Sequence, residues 1–313
     1  MVALSNTDGM PRTSVVSRRI RSRFQAPRSR WLGLLYAAPA IIAYGLVVIV
    51  PLFQSLNYSF YSWDGVSTAR WVGIDNYVTF FTDPVLVESL EHVGVLVVFF
   101  ALLPIVFGLI SAGLLGRGRV KGQGVYRWIL FLPQVLTSVV VAVIWKRLYG
   151  PDGPLDSALR AVGLGGFARD WLGDFNWALP SLGVIGTWTT LGFCMVLFVA
   201  GVAAIPSELY EQARMDGAGP ITEFFAVTLP GLHGQLAVAL TLTITGALRA
   251  FDLVWITTQG GPGNATTTPA LLLYQKAFEN PDVGMAAAIG IVLAVFCLAI
   301  ALIITRFSEE KPS

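Results

Sequence analysis

The sequence predicts an all-α integral membrane protein with six transmembrane helices. Of its 313 residues, 55% are hydrophobic and only 13% are charged, and the mean hydropathy is +0.67. A soluble globular domain carries about twice that share of charged residues. The chain also contains six apolar runs that can each cross roughly 30 Å of hydrocarbon as a helix. These runs comprise residues 31–53, 93–115, 128–145, 178–202, 236–255 and 283–305.

The distribution of basic residues predicts the orientation of the helices. An even number of spans places both termini on one side of the membrane. That side carries fourteen Lys and Arg residues, whereas the opposite side carries six. Because cytoplasmic segments are enriched in Lys and Arg, we expect both termini to be cytoplasmic. The expected organisation is a cytoplasmic tail at 1–30, a transmembrane domain at 31–305 and a second cytoplasmic tail at 306–313.

The first tail contains seven Arg residues and precedes the first apolar run. A basic segment before an apolar run is also typical of signal peptides, but this run continues to Phe53 and is longer than a signal core. We therefore expect a retained anchor in the lipid bilayer, with the tail near anionic headgroups. Nucleic-acid binding is not expected, since no folded nucleic-acid-binding module accompanies the Arg cluster.

A polar loop at 203–234 separates the fourth and fifth spans, on the predicted cytoplasmic side. Its first part is predicted to be a short helix that Ser207 caps. The helix is expected to end at Asp216-Gly217, because glycine adopts the left-handed conformation common at helix ends. The loop has four acids and one base, which are Glu208, Glu211, Asp216, Glu223 and Arg214.

The second part of the loop is predicted to be another short helix, which begins at Pro220. Ile221, Phe224 and Phe225 would share one apolar face. A helix on the lipid surface would carry Lys and Arg on its polar face, and this loop does not. The pattern favours a helical element that docks into another protein over a solvated acidic loop.

The loop also carries the spacing Glu-x-Ala-x-x-x-Gly, followed after nine residues by aliphatic-x-Leu-Pro. This spacing resembles the EAA loop of the permease subunits of type I ABC importers, in which the loop is a coupling helix that sits in a cleft of the ATPase subunit. Gln212 and Val227 depart mildly from the usual alanine and isoleucine. The resemblance implies that the ATPase-coupling residues are Glu211, Ala213, Asp216, Gly217, Leu229 and Pro230.

Two further signatures resemble the carbohydrate-uptake, maltose-transporter-like branch of these permeases. They are Val-Gly-Ile-Asp-Asn-Tyr at 72–77 and Gly-Gly-Pro-Gly-Asn-Ala-Thr at 260–266. The resemblance covers about residues 30–305 and implies one permease half of an ATP-driven, binding-protein-dependent sugar importer in the bacterial inner membrane. The partners that it implies are a second permease subunit, two cytoplasmic ATP-binding subunits and an extracytoplasmic sugar-binding protein.

Catalytic and cofactor motifs are missing from the sequence. No lysine ends a Gly-x-x-x-x-Gly-Lys phosphate loop, so ATP is expected to bind a partner subunit and no cofactor is expected on this chain. His92 and His233 have no further ligand at metal-binding spacing. Cys194 and Cys297 lie inside predicted spans as small hydrophobic residues. An enzyme is therefore not expected.

In the fifth span, polar residues recur at steps of four, four and three, which places them on one helical face. They are Thr241, Thr245, Arg249 and Asp252. One interpretation is an Arg249–Asp252 ion pair that fixes helix packing, and the other is a stripe that lines the translocation path. An internal pair would favour a neutral sugar, whereas an unpaired Arg249 would suit a phosphorylated cargo.

In the fourth span, an aromatic and hydroxyl cluster interrupts the aliphatic run. Its members are Trp188, Thr189, Gly192 and Phe193. Hydroxyls and aromatic faces suit sugar recognition, but an interfacial tryptophan and a packing glycine would give the same pattern.

Two alternatives stay open, one for the cargo and one for the energy source. The cargo could be a glycerol phosphate or a polyol, and an ion-coupled secondary transporter would need carboxylates at mid-membrane, where only Asp252 lies within a span.

Overall fold

The helices of the chain follow the predicted apolar runs. The computed structural model describes residues 30–115 and 122–309. Within this part, five helices are long and apolar enough to cross a membrane, and a bent pair makes a sixth if it counts as one span. This confirms the predicted six-helix membrane fold. Nearly all of the Arg-rich tail, the last four residues and most of the basic residues at 116–127 lie outside the described residues.

The first span contains α1 (Arg30–Tyr44), a π-helical turn (Gly45–Ile49) and α2 (Val50–Tyr58). Among the described residues, those up to Pro51 belong to one structural unit and those from Leu52 onward belong to another. In the second unit, a short antiparallel hairpin of β1 (Tyr61–Ser62) and β2 (Arg70–Trp71) follows the end of α2.

The remaining helices of the second unit are, in order, α3 (Asp75–Thr82), α4 (Pro84–Val97), α5 (Leu103–Leu115), α6 (Gln123–Val135), α7 (Ser138–Leu148), α8 (Pro154–Ala161), α9 (Ala178–Ala204), α10 (Ser207–Met215), α11 (Pro220–Glu223), α12 (Leu229–Gly231), α13 (His233–Leu248), α14 (Asp252–Thr257), α15 (Pro269–Tyr274) and α16 (Val283–Glu309). A π-helical turn at Val98–Leu102 joins α4 to α5, and another at Phe224–Thr228 joins α11 to α12. A third follows α15 at Gln275–Glu279, and a 3-10 turn lies at Gly165–Phe167.

The fourth span, α9, is the most buried of the candidate spans and packs against α5 and α6. Cys194, Met195 and Phe198 of α9 are fully buried in a core cluster that includes residues of α5. Small residues allow the close approach, since a Cβ built on Gly108 would lie 2.8 Å from the Cβ of Cys194. The helices therefore meet through tightly fitted small side chains, which is how spans associate when lipid offers no hydrophobic drive between them.

The predicted third span, 128–145, is not one helix. α6 and α7 meet at an angle of 100° around Leu136 and Thr137, which are both extended. Pro133 has no N–H to donate near the end of α6. The Thr137 hydroxyl accepts the N–H of Val140 and so begins α7. The expectation that residues 128–145 form one continuous helix is therefore wrong.

The fifth span is also broken, because α13 ends at Leu248 and α14 begins at Asp252. The break leaves backbone carbonyls without helical partners, which is costly in hydrocarbon. The Thr268 hydroxyl, fully buried, donates to the Ala250 carbonyl oxygen at 2.8 Å. This contact supplies a partner where the helix cannot.

Residues of the 72–77 signature form hydrogen bonds with the segment that leads into the β1–β2 hairpin. The Asn76 side-chain Nδ2 donates to the carbonyl oxygens of Ser59 at 2.8 Å and of Tyr61 at 2.9 Å. The Ser59 hydroxyl lies 2.6 Å from the Tyr77 hydroxyl. The signature therefore has a structural function in the segment between the first and second spans.

The 260–266 signature forms a tight turn between the fifth and sixth spans. Gly260 has a φ of +91°, and a Cβ there would also lie 2.7 Å from the Thr267 hydroxyl. The Thr266 side chain is fully buried and donates to the Gly261 carbonyl oxygen at 2.8 Å. The glycines thus allow a tight turn, and hydrogen bonds from threonine hydroxyls to backbone carbonyl oxygens stabilise it.

We predict that Gly192→Ala destabilises the fold. A Cβ at Gly192 would lie 2.6 Å from the Leu130 carbonyl oxygen and 2.9 Å from the Phe131 Cα, so α6 and α9 must separate. Overpacking of this kind costs about 2 kcal/mol, and thermal denaturation of the purified protein in detergent should show a lower Tm. The matched control is Gly246→Ala, where a Cβ meets nothing within 4 Å. Equal Tm values for the two variants would contradict the close contact.

Candidate functional site: the 203–234 loop and the membrane cavities

The first helix of the 203–234 loop ends as predicted. Gly217 has a φ of +81°, in the left-handed region. The Ala218 N–H donates to the Ala213 carbonyl oxygen at 2.9 Å, and the Gly217 N–H donates to the Arg214 carbonyl oxygen at 3.0 Å. This pair of hydrogen bonds is the Schellman motif. Because a Cβ on Gly217 would meet nothing within 4 Å, the glycine is required here for its conformation.

The start of the same helix differs from the prediction. Ser207 is already helical, and Pro206 occupies the capping position without a side-chain hydrogen bond. The expected Ser207 cap is therefore wrong, because the helix begins one residue earlier than expected. Proline fixes the extended approach to the helix and cannot supply a capping oxygen.

The second part of the loop begins at Pro220, as predicted, in the first helical position of α11. Ile221 and Phe225 are largely exposed, and together with Phe224 they line one groove of about 420 Å³. The opposite wall of the groove belongs to α5 and consists of Ile110, Gly113 and Leu114. The expected apolar face is therefore present, and part of it faces the second span.

Two side-chain contacts that the sequence did not predict connect α10 to the helix that follows. Arg214 Nη2 donates to Glu223 Oε1 at 3.1 Å, and the Glu223 side chain is only 5% exposed. The Tyr210 hydroxyl lies 3.2 Å from the Thr228 hydroxyl, and both residues are buried. The sequence offered one indication of the first contact, because Arg214 is the single basic residue among the acidic residues of the loop.

Most of the predicted coupling residues lie on the loop surface. Glu211, Asp216, Gly217 and Pro230 are exposed, whereas Ala213 and Leu229 are half-buried. The surface is thus free for contact with another protein.

The four candidate residues of the fourth span contact different parts of the structure. Trp188 packs edge-on against Trp145, with ring centroids 5.5 Å apart. Gly192 faces the backbone of α6, which supports its interpretation as a packing glycine. Phe193 packs on the core cluster around α9. Thr189 is the one member of the four that lines a cavity described below.

That cavity, the hinge pocket, lies where α6 and α7 meet and has a volume of about 220 Å³. No charged side chain of the described residues lines it. Its polar side chains are Gln134, Ser138, Thr189 and Thr190, and apolar residues such as Phe100, Val141 and Ile185 form the rest. Sequence reasoning missed Gln134 and Ser138, although their position just after Pro133 was a usable signal, and it did not select Thr190, which is the neighbour of Thr189 in the predicted cluster.

The fifth-span stripe is divided by the break. The Thr241 hydroxyl donates to the Ala237 carbonyl oxygen at 2.8 Å, and that of Thr245 donates to the Thr241 carbonyl oxygen. Arg249 is the capping residue that directly follows α13, and Asp252 begins α14. The four residues therefore do not share one continuous helical face.

The Arg249–Asp252 ion pair, one of the two interpretations of the stripe, is not formed. Among the ion pairs of residues 30–115 and 122–309, none joins these two side chains, and both are exposed in the chain. Arg249 and Thr245 instead line a groove of about 460 Å³ beside Gly290 and Cys297 of α16. The argument for a neutral cargo from internal pairing therefore fails.

The histidines have backbone partners. His92 Nδ1 lies 2.9 Å from the Thr267 carbonyl oxygen, and His233 Nδ1 lies 3.0 Å from the Pro230 carbonyl oxygen. In the part of the chain that the structure describes, no group of three or more His, Cys, Asp and Glu side chains could hold a metal ion.

A family model described as "Binding-protein-dependent transport system inner membrane component" matches residues 104–310, which include the 203–234 loop and most of the cavity linings. The chain belongs to this family. As a member, it is an inner-membrane transport component and not an enzyme, and transport by the family depends on a binding protein.

Relatives of this family member span nearly the whole chain. The probable ABC transporter permease protein YurN of Bacillus subtilis is 35% identical over 87% of this chain and 94% of the relative. The diacetylchitobiose uptake system permease protein NgcF of Streptomyces coelicolor is 31% identical over 95% and 90%.

A solved structure shares the fold of this family member. One chain of a bacterial ABC transporter involved in the import of the acidic polysaccharide alginate superimposes with a TM-score of 0.76, at 23% identity over 90% of this chain and 96% of that chain. Its similarity confirms the ABC importer permease fold.

We predict that substitutions at Gly217 act through the backbone. Asparagine tolerates the left-handed region, whereas Ala is strained by about 1–2 kcal/mol and the β-branched Val by more. Transport should therefore fall in the order Gly, Asn, Ala, Val in an ATP-dependent uptake assay. The control is Gly219→Ala, since Gly219 has a φ of −76° and open space beside it. If Gly217→Asn reduces transport as much as Gly217→Val, the function depends on the space beside residue 217 and not on its backbone conformation, which would contradict the prediction.

Proposed function

We propose that this family member is a permease subunit of an ATP-driven sugar importer and forms one half of its translocation path. The observation that carries the proposal is the hinge pocket, a cavity at a broken span that offers an amide and three hydroxyls and no charged side chain among the described residues. Neutral sugars are bound by such a combination of hydrogen-bonding groups and apolar walls. Names of relatives support this cargo class, since they include a lactose and a diacetylchitobiose permease.

The 203–234 loop is proposed to couple the permease to ATP hydrolysis. α10 presents Glu211 on an exposed surface, and the left-handed Gly217 turns the chain sharply after it. Two ATP-binding subunits would dock on this element and bind the nucleotide, so this chain needs no cofactor of its own. A second permease subunit would complete the path, and the binding protein would deliver the sugar on the opposite side of the membrane.

A second candidate cargo is a glycerol phosphate or another anionic sugar. The observation that favours it is Arg249, whose guanidinium has no carboxylate partner among the described residues. Guanidinium binds phosphate bidentately. We favour the neutral sugar because Arg249 lines a separate groove, whereas the described lining of the hinge pocket is uncharged.

Uptake into cells or proteoliposomes that contain the complete transporter tests the energy source. Lactose, diacetylchitobiose and glycerol 3-phosphate serve as radiolabelled probes. We expect depletion of ATP to abolish uptake, and a protonophore to leave it intact while ATP is maintained. Uptake that survives ATP depletion and collapses with the protonophore would establish an ion-coupled secondary transporter instead.

The charge of the cargo is tested in the same assay with Arg249→Gln, and with Asp252→Asn as the control for loss of a nearby charge. A neutral cargo should be taken up by both variants. Selective loss of glycerol 3-phosphate uptake in Arg249→Gln would assign the anionic cargo.

The proposed orientation, with both termini and the 203–234 loop in the cytoplasm, rests on the distribution of Lys and Arg. Single cysteines at Thr68, Glu279 and Met215, which are all exposed, test it after the two native cysteines are replaced. An impermeant maleimide added to intact cells should label the first two positions and not the third. Labelling at Met215 from outside would reverse the orientation.

A further inference from the structure

We propose that two cross-links, Arg214–Glu223 and Tyr210–Thr228, join α10 and residues 220–231 into one rigid lever that transmits movement of α10 to the second span. The proposal rests on the proposed function, because it assumes that α10 receives the movement from an ATPase. It assigns positioning functions to the four residues that connect α10 to residues 220–231, of which Tyr210, Glu223 and Thr228 are buried.

The turn between the two helices is the reason that a lever needs cross-links. Residues 216–219 leave the helix, and two of the four are glycines with open space around them. A joint of this kind can bend at little energetic cost. Without further contacts, a displacement of α10 would be taken up at the turn and would not reach the membrane-spanning helices.

The two cross-links lie on matching faces of the two helices. Tyr210 and Arg214 are four residues apart on α10 and therefore share a face. Glu223 and Thr228 are five residues apart, across the π-helical turn. Hydrogen bonds in a π-helix close over five residues, so this turn brings Glu223 and Thr228 to the same side, facing α10.

Burial makes these contacts stiff. The Glu223 side chain is 5% exposed and Thr228 is 1% exposed, whereas Arg214 keeps 41% of its side chain exposed. Separating the Arg214 guanidinium from a carboxylate in such a place is costly, because the attraction between two partly desolvated charges is lost as they move apart. The contacts are therefore expected to stay closed when α10 is displaced.

The far end of the lever contacts α5. Phe224 follows Glu223 directly, and a Cβ on Gly113 of α5 would lie 3.3 Å from the Phe224 ring. α5 in turn has its most extensive packing with α9, which carries Thr189 and Thr190 of the hinge pocket. A contiguous path thus runs from α10 through the lever and α5 to the pocket, and coupling along such a path must be shown by experiment.

The test uses the complete transporter in lipid nanodiscs, with Cys194 and Cys297 replaced by Ala and a reporter cysteine at Thr190. Three quantities are measured: copurification of the ATPase subunits, ATP hydrolysis, and the change in maleimide labelling at position 190 on addition of Mg-ATP. The variants are Arg214→Glu, Glu223→Arg and the double reversal. The control is Glu208→Arg, which reverses an exposed acid on the same helix.

Each single reversal should keep the ATPase subunits and hydrolysis but reduce the ATP-driven change in labelling at least about fivefold, the lower end of a typical coupling effect. The double reversal should recover to within about twofold of the unmodified protein, and the Glu208→Arg control should respond as the unmodified protein does. An unchanged response in the single reversals, or no recovery in the double, overturns the lever. Loss of the ATPase subunits in the single reversals also overturns it, because it would show a docking function.

Thr228→Val keeps the test decisive if the reversed permease subunits cannot be purified as folded proteins. It removes only the hydroxyl and should reduce the ATP-driven change about threefold, as expected for one hydrogen bond; an unchanged response contradicts the lever. If the protein with native Arg214, Glu223 and Thr228 shows no ATP-driven change at position 190, the lever is overturned, whereas the proposed function fails separately, if uptake survives depletion of ATP.

Discussion

The structure depends on the need to satisfy every backbone polar group inside a hydrocarbon layer. Continuous helices meet this need by themselves, but two spans of this protein are interrupted. At the first break, Thr137 begins α7 with its side chain. At the second, Thr268 reaches across to the Ala250 carbonyl oxygen. The fold therefore supplies specific partners where the backbone is irregular, and both the hinge pocket and Arg249 lie beside these breaks.

The breaks and the close packing of α9 are connected. Gly192 lets the backbone of α6 approach α9, so the end of α6 and the start of α7 are held beside Thr189. A bulkier residue would displace α6 and with it the hinge pocket. Helix packing and the lining of the hinge pocket thus use neighbouring positions on α9. This explains why the cluster Trp188–Phe193 contains both a packing glycine and pocket-lining hydroxyls.

The 203–234 loop combines a flexible turn with contacts that restrain it. The left-handed Gly217 allows the chain to reverse direction, and the buried Glu223 holds the two resulting helices together through Arg214. In the coupling function that we propose for this loop, movement passes between the loop and the spans. A rigid element between them is a direct physical means to transmit that movement.

The sequence alone determined the membrane fold, the approximate spans, the helix end at Gly217 and the family, because hydropathy, turn chemistry and motif spacing are local properties. The break between Leu248 and Asp252, and the separation of Arg249 from Asp252, were decided by the tertiary structure. So were the hinge pocket and the contact between Arg214 and Glu223. The prediction that these polar residues share one face assumes a continuous helix. A break that is stabilised by a residue distant in the sequence, such as Thr268, leaves no signal in the local sequence. Contacts between separate segments depend on how helices approach, which only the folded chain specifies.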